Sequence, residues 1–184
     1  MDISKLDEIE RVLISEEEIS ITVEKMAKQI TEDYKDKEGG LVLLGILKGS
    51  VFFLSDLSRE IELPLIFDFM SVSSYGLGTE SSGDVRILKD LDQSIDGKHV
   101  IIVEDIIDTG YTLSYLIDNL KSRGAKSIKT AVLLDKKERR QVEFEADYVG
   151  YEIPDEFVVG YGIDYAQKYR NLPFVGIVKR EVYE

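Results

Sequence analysis

Residues 100–112 read VIIVEDIIDTGYT, and their reading decides the fold. They continue from His99 as HVIIVED, a short apolar run rich in β-branched residues and ending in acids, as expected of a strand covered on both faces of a parallel sheet. Glu104 and Asp105 then stand at the carboxyl end of that strand. A short turn brings Asp108, followed by Thr109, Gly110, Tyr111 and Thr112 at the mouth of a helix over about 113–123. That helix places Leu113, Leu116, Ile117 and Leu120 on one face, with Gly124 just past its end. Free backbone N–H groups and the positive end of the helix dipole make such a start an anion site. The hydroxyls of Thr109 and Thr112 add donors, and Gly110 lets the backbone approach closely. The segment is a phosphate cradle without the lysine or spacing of a P-loop. The paired acids beside it would repel phosphate. They suit sugar hydroxyls and a hydrated Mg²⁺ instead.

Working outward, apolar runs alternate with helical patterns. Ile9–Ile14 reads as a strand or lead-in. Ser15 and Glu18 have capping-box spacing, and Ile19, Val23, Met26, Ile30 and Tyr34 follow on one helical face, with Gly39–Gly40 as the expected stop. LVLLGIL (41–47) is a second buried strand, LKGS (47–50) a turn, and 51–61 a helix with Phe52, Leu54, Leu57 and Ile61 available to pack. PLIFDFMSV (64–72) is a strand, YGLGTESSGD (75–84) a mobile polar loop, and SIKTAVLLDK (127–136) the next strand. Shorter strands are expected near 148–151, 157–159 and 174–179. This alternation predicts an α/β protein with a central parallel sheet flanked by helices. Ligands of such sheets bind beyond the carboxyl ends of the strands, where each of these clusters falls.

Composition narrows the chemistry. A chain of 184 residues fits one compact domain. It has no cysteine, which excludes disulfides and thiolate chemistry, and one histidine, which leaves no zinc cluster and no Ser–His relay. Any metal should be a hard cation on carboxylates, Mg²⁺ or Mn²⁺. A formal charge of −13 argues against nucleic acid. The opening MDISKLDEIE does not read as a signal peptide, and no apolar stretch reaches the ~18 residues of a membrane helix. The expectation is a cytoplasmic protein with no membrane or nucleic-acid partner.

An acid pair followed by Asp-Thr-Gly after an apolar strand resembles the phosphoribosyl pyrophosphate fingerprint of the type I phosphoribosyltransferases. The spelling VEDIIDTG is similar specifically to the hypoxanthine-guanine phosphoribosyltransferases. The resemblance extends over nearly the whole chain, through LKGS, Ser74–Tyr75, Lys136, FVVGYGIDY (157–165) and YRNLP (169–173). It implies one domain over 1–184, with a core at about 38–150, a small hood from the N- and C-terminal segments and a flexible catalytic loop at 74–84. It also implies transfer of a phosphoribosyl group to hypoxanthine or guanine, with Mg²⁺, in a homodimer or homotetramer. Glu104 and Asp105 would hold the ribose hydroxyls, partly through the metal. Asp108 would act at purine N7 as general base or acid, and Asp108 to Thr112 would bind the 5′-phosphate. Lys48, Gly49 and Arg170 would hold pyrophosphate, with Ser74 and Tyr75 closing over it. Lys136 would donate to O6, Phe157 would stack on the base, the Val158 backbone would read its edge, and Asp164 would serve the base pocket and a second metal site. Two positions depart from the pattern or vary within it. Ser50 stands where many relatives have glycine, and Tyr111 is a variable position that contributes only its backbone.

Plainer readings exist for several of these residues. Glu104 and Asp105 also suit a solvated strand end, and Asp108 an N-terminal helix cap. Lys136 opens KKERR, a run that reads equally as a solvated face. Phe157 and Val158 suit ordinary core, Lys48 a surface lysine, Arg170 a partner for one of the many acids, and His99 a strand entry without catalytic part. Lys136 and FVVGYGIDY argue against adenine as substrate but leave hypoxanthine, guanine and xanthine together. A regulator that only senses phosphoribosyl pyrophosphate would need a basic surface or an added DNA-binding domain, which this acidic chain does not offer.

Overall fold

In the computed structural model, which describes residues 6–74 and 85–183, β1 (Ile9–Ile14) leads to α1 (Glu16–Tyr34), β2 (Leu41–Leu47), α2 (Val51–Glu60) and β3 (Leu65–Ser74). Then come β4 (Val85–Lys89), β5 (His99–Ile107), α3 (Tyr111–Lys121), β6 (Ser127–Asp135) and β7 (Tyr148–Glu152). The chain ends with β8 (Val158–Val159), β9 (Val175–Val178) and α4 (Arg180–Tyr183). Six strands form one sheet in the order β4-β3-β2-β5-β6-β7. Its ladders are parallel except at the edge, where β4 runs antiparallel to β3.

Burial on both faces explains the apolar runs. Leu41, Leu43, Ile101, Val103, Ala131 and Leu133 point to one face, where α1 and α2 pack. Val42, Leu44, Val100, Ile102 and Val132 point to the other, where Leu113, Leu116 and Leu120 of α3 close a second core. A smaller sheet, β1-β9-β8, joins the two ends of the chain and has its own cluster around Ile9, Val159, Leu172, Phe174 and Val178.

The helix starts follow their capping residues. Ser15 Oγ accepts from Glu18 N at 3.2 Å while Ser15 N donates to Glu18 Oε2 at 2.8 Å, so both halves of the capping box form. All the residues expected on the inner face of α1, Ile19 to Tyr34, are buried.

Four expectations need correction. α1 ends at Tyr34 with Lys35 as its C-cap, so Gly39–Gly40 do not stop it but lead into β2. In α2 it is Phe53 that is buried, at i−4 from Leu57, while Phe52 faces outward. β5 runs on to Ile107, so Glu104 and Asp105 lie within the strand and not at its end. The edge strand β4 was not expected, because its alternating half-burial carries no continuous apolar signal.

Replacing Ser15 with alanine removes the reciprocal cap and should cost about 1 kcal/mol. Thermal unfolding followed by circular dichroism should show a midpoint about 2–4 °C lower. An unchanged midpoint would show that the cap contributes nothing to this fold.

Candidate active site

Parallel register sets the exits of three neighbouring strands level. Gly45 pairs with Val103, and Ile107 pairs with Asp135. The loops leaving β2 (47–50), β5 (108–110) and β6 (136–141) therefore share one edge of the sheet. The peptide between Leu47 and Lys48 is cis.

Burial raises the carboxyls of both Glu104 and Asp105. Burial and the neighbouring Asp105 charge push the Glu104 carboxyl well above the usual carboxylate range. Its Oε2 is buried without a hydrogen-bond partner among the described residues. Asp105 is 9% exposed, and burial raises its carboxyl to about 6 against the pull of two backbone amides and Arg170. Gly49 packs directly on it: a β-carbon there would overlap the Asp105 carboxylate. A β-carbon on Gly162 would in turn overlap the Gly49 carbonyl. Two costly carboxylates, one with an orphaned oxygen, fit a hard divalent cation or sugar hydroxyls, since either would supply the missing partners. Among the described residues no group of three or more acidic or histidine side chains forms a metal cage. A Mg²⁺ here would keep waters or substrate oxygens as its remaining ligands.

At the mouth of α3 the cap is Gly110, held at φ 88°, with no side-chain hydrogen bond and no acid in the first turn. This end differs from α1, which is closed by Ser15 and followed by Glu16, Glu17 and Glu18. The N–H groups at the start of α3 are left for an external anion. Asp108 is not the cap. Its Oδ1 lies 2.9 Å from Arg139 Nε, a close ion pair not aligned as a hydrogen bond, so the oxygen still counts as unsatisfied. Thr109, Tyr111 and Thr112 are half-buried around it.

Beyond β6, Lys136 is only 7% exposed. Its ammonium reaches Asp155 at 3.6 Å, and Arg139 reaches the same Asp155 oxygen at 3.5 Å. Asp108, Arg139, Asp155 and Lys136 thus form one chain of alternating charge. Phe157 stacks on Tyr183 with centroids 4.7 Å apart and lies perpendicular to Tyr165 with centroids 5.5 Å apart. Val178 N donates to the Phe157 carbonyl at 2.9 Å. In an antiparallel ladder the N–H and C=O of the next residue then point away from the partner strand, so Val158 presents both to the free edge of β8.

Asp164 forms no metal cage with Glu104 and Asp105 among the described residues, although its charge reaches Asp105 and helps to raise that carboxyl. Its oxygens are taken by Arg170 at 2.7 Å and by Gln167 N at 2.8 Å. Arg170 also donates to the Gly162 carbonyl at 2.7 Å, and Lys48 reaches Gln167 Oε1 at 3.2 Å. Ser74 ends β3, where it pairs with Val85. Tyr75 and most of the expected 74–84 loop lie outside the described residues.

Sequence reasoning passed over Asp135, Arg139, Arg140, Asp155, Gly162 and Gln167. Arg139 and Arg140 were visible only as part of a charge run, and helical or strand periodicity gives no sign that Arg140 turns inward. Gly162 lies within FVVGYGIDY in plain view, but its approach to Gly49 is a contact between distant parts of the chain.

A doubly wound sheet carrying a carboxylate pair beside an open helix start defines an α/β protein suited to a phosphorylated sugar. The sequence matches the phosphoribosyl transferase domain family over residues 13–166, and the chain belongs to that family. It is 52% identical over 177 residues to the hypoxanthine-guanine phosphoribosyltransferase of Bacillus subtilis, covering 96% of this chain and 97% of that protein. It is 51% identical to part of the bifunctional protein TilS/HprT of Listeria monocytogenes, covering 96% of this chain but only 27% of that protein's length. Among solved structures, a hypoxanthine phosphoribosyltransferase from Staphylococcus aureus superposes with TM-score 0.94 at 49% identity, over 100% of this chain and 99% of that one.

The raised Asp105 carboxyl makes stability depend on pH in a definite direction. Folded Asp105 titrates near 6 against a usual value of 3.8, so between those values the native state holds the extra proton. Stability from this group is therefore present at low pH and lost as pH rises through about 6. Asp105→Asn removes the buried charge and should stabilise the protein at pH 8 by on the order of 2–3 kcal/mol. The gain should vanish near pH 4. Thermal melts of both proteins across that range check this, and a gain that does not change with pH would refute it.

Proposed function

We propose that this protein transfers the 5-phosphoribosyl group of phosphoribosyl pyrophosphate to hypoxanthine or guanine, giving inosine or guanosine 5′-monophosphate and pyrophosphate. The observation that carries the reading is the buried Glu104–Asp105 pair on β5, beside the uncapped start of α3. The names borne by the B. subtilis and S. aureus relatives support it.

In this reading Glu104 and Asp105 hold the ribose hydroxyls and, with them, Mg²⁺, which when bound neutralises charge on the pyrophosphate. Amides and hydroxyls from Asp108 to Thr112 seat the 5′-phosphate. Lys48, Gly49 and Arg170 hold pyrophosphate, with Ser74 and Tyr75 closing over it. Positive side chains there stabilise the charge that develops as the bond from C1′ to the pyrophosphate oxygen breaks. The base lies between Lys136 at O6 and the Val158 backbone, on the face of Phe157 that Tyr183 does not use. Asp164 completes that pocket and a second metal position. Asp108 takes the proton that the base loses near N7 while the bond from the base nitrogen to C1′ forms. Arg139 holds the Asp108 carboxylate until the base arrives.

The reading extends to the rest of the molecule. Residues 1–184 make one domain, with a core at about 38–150 and the β1-β9-β8 sheet as its hood. A cytoplasmic location follows from the resemblance; no helix among the described residues is long and apolar enough to cross a membrane. Assembly as a homodimer or homotetramer follows from the resemblance.

Spectrophotometric assay of the purified protein with phosphoribosyl pyrophosphate, Mg²⁺ and each of hypoxanthine, guanine, xanthine and adenine tests the proposal. Nucleotide should form with hypoxanthine or guanine and not with adenine. No product from either 6-oxopurine would overturn the assignment. Asp108→Asn should lower turnover by about 10²–10⁴-fold while phosphoribosyl pyrophosphate still binds in calorimetry. A variant that turns over like the parent would remove Asp108 from the chemistry.

A further inference from the structure

Two peptide groups just before α3 are held from the side of the 136–141 segment. Arg140 Nη1 donates to the Asp108 carbonyl at 2.8 Å, and Gln141 N donates to the Thr109 carbonyl at 3.0 Å. In a trans peptide the carbonyl and the N–H point in opposite directions. Fixing these two carbonyls therefore turns the N–H groups of Thr109 and Gly110 away from 136–141. Without that restraint either peptide could rotate and present a carbonyl oxygen to an incoming anion.

Arg140 is itself built in. Its Nη2 is paired with the Asp135 carboxylate, which is 1% exposed at the end of β6. Its stem passes so close to Gly110 that a β-carbon there would lie 3.1 Å from Arg140 Cδ and 2.8 Å from Val142 Cγ2. Its guanidinium lies 5.8 Å from the Phe144 ring. The rigid fork reaches a side-chain carboxylate and a main-chain carbonyl at once, which the single ammonium of lysine cannot match in geometry. The arginine side chain is only 13% exposed and that of Asp135 2%, so the pair is largely enclosed by protein.

We propose that Arg140 is a positioning residue for the 5′-phosphate: without touching substrate, it sets the orientation of the peptide groups that receive the anion. This rests on the proposed function, in which residues 108–112 seat that phosphate. Arg140 thereby determines phosphate affinity rather than base affinity. Its removal weakens ligands in proportion to the phosphate they carry.

Inosine 5′-monophosphate and inosine, which differ only by the phosphate, separate this role from a general loss of structure. Arg140→Met alone would leave Asp135 buried and unpaired and could unfold the loop. The informative protein is therefore the double variant Asp135→Asn, Arg140→Met, with Asp135→Asn as its control, each checked by thermal melting. In calorimetry the parent and Asp135→Asn should both prefer the nucleotide to the nucleoside. The double variant should bind the nucleotide about 10–100-fold more weakly, with inosine affinity unchanged. Nucleotide affinity equal to that of the control, or equal losses for both ligands, would overturn the role of Arg140. A parent protein that does not distinguish nucleotide from nucleoside would instead overturn the phosphate site itself, and the proposal with it.

Discussion

The site depends on one constraint, the parallel in-register pairing of β5 with β2 on one side and β6 on the other. Because the three strands advance together, their exits stay level and their loops meet. A shift of one residue between β5 and β6 would turn the side chains of β5 to opposite faces. Val100 and Ile102 would leave the α3 core, while Glu104 and Asp105 would exchange places. Apolar packing on both faces of β5 therefore fixes the orientation of its two carboxylates. Apart from the partners noted for Asp105, the affinity that holds these groups in place comes from the strand behind them.

Such a location opposes the charge it carries. Burial disfavours the ionised forms of both Glu104 and Asp105, and a solvated strand end would avoid that penalty. The close packing of Gly49 on Asp105 and of Gly162 on Gly49 shuts water out further. No purely structural requirement calls for two acids at this depth, where apolar residues would pack at lower cost. A preformed, incompletely paired group of acceptors would gain its partners from a ligand with hydroxyls or a cation, so the stability given up in the free protein would strengthen binding.

Much of this was legible in the sequence, for identifiable reasons. Runs such as LVLLGIL and HVIIV announce strands buried on both faces, because few other structures tolerate such runs in a short segment. Ser15 and Glu18 announce a helix start because capping is local. The acids and the DTGYT turn were readable because strand exit, turn and helix mouth are consecutive in the chain. What escaped was either a matter of phase or a contact between distant segments. Adjacent Phe52 and Phe53 differ by one step around α2, and tertiary packing chose Phe53. The length of β5 was misjudged because Glu104 and Asp105 look like the end of a strand, and only pairing with β6 carries it to Ile107. Arg140 looked solvated within KKERR, since nothing local distinguishes an arginine that turns inward onto Asp135.

A net charge of −13 is at odds with the polyanion of the proposed function. Distance resolves the conflict, because charges more than about 8–10 Å apart are largely screened at physiological salt, leaving the local arrangement to decide. Around the strand exits the cations are positioned against acids: Arg139 with Asp108 and Asp155, Arg140 with Asp135, and Arg170 with Asp164. Two kinds of pair result. Asp135–Arg140 is largely buried, and the same guanidinium also holds the Asp108 carbonyl, so it behaves as framework. The Asp108–Arg139 pair is nearly half exposed and poorly aligned, so it can be exchanged at little cost for a ligand group. The same edge of the sheet thus combines a fixed ion pair that shapes the backbone with a replaceable one, which under the proposed function keeps the Asp108 carboxylate occupied until a base displaces the arginine.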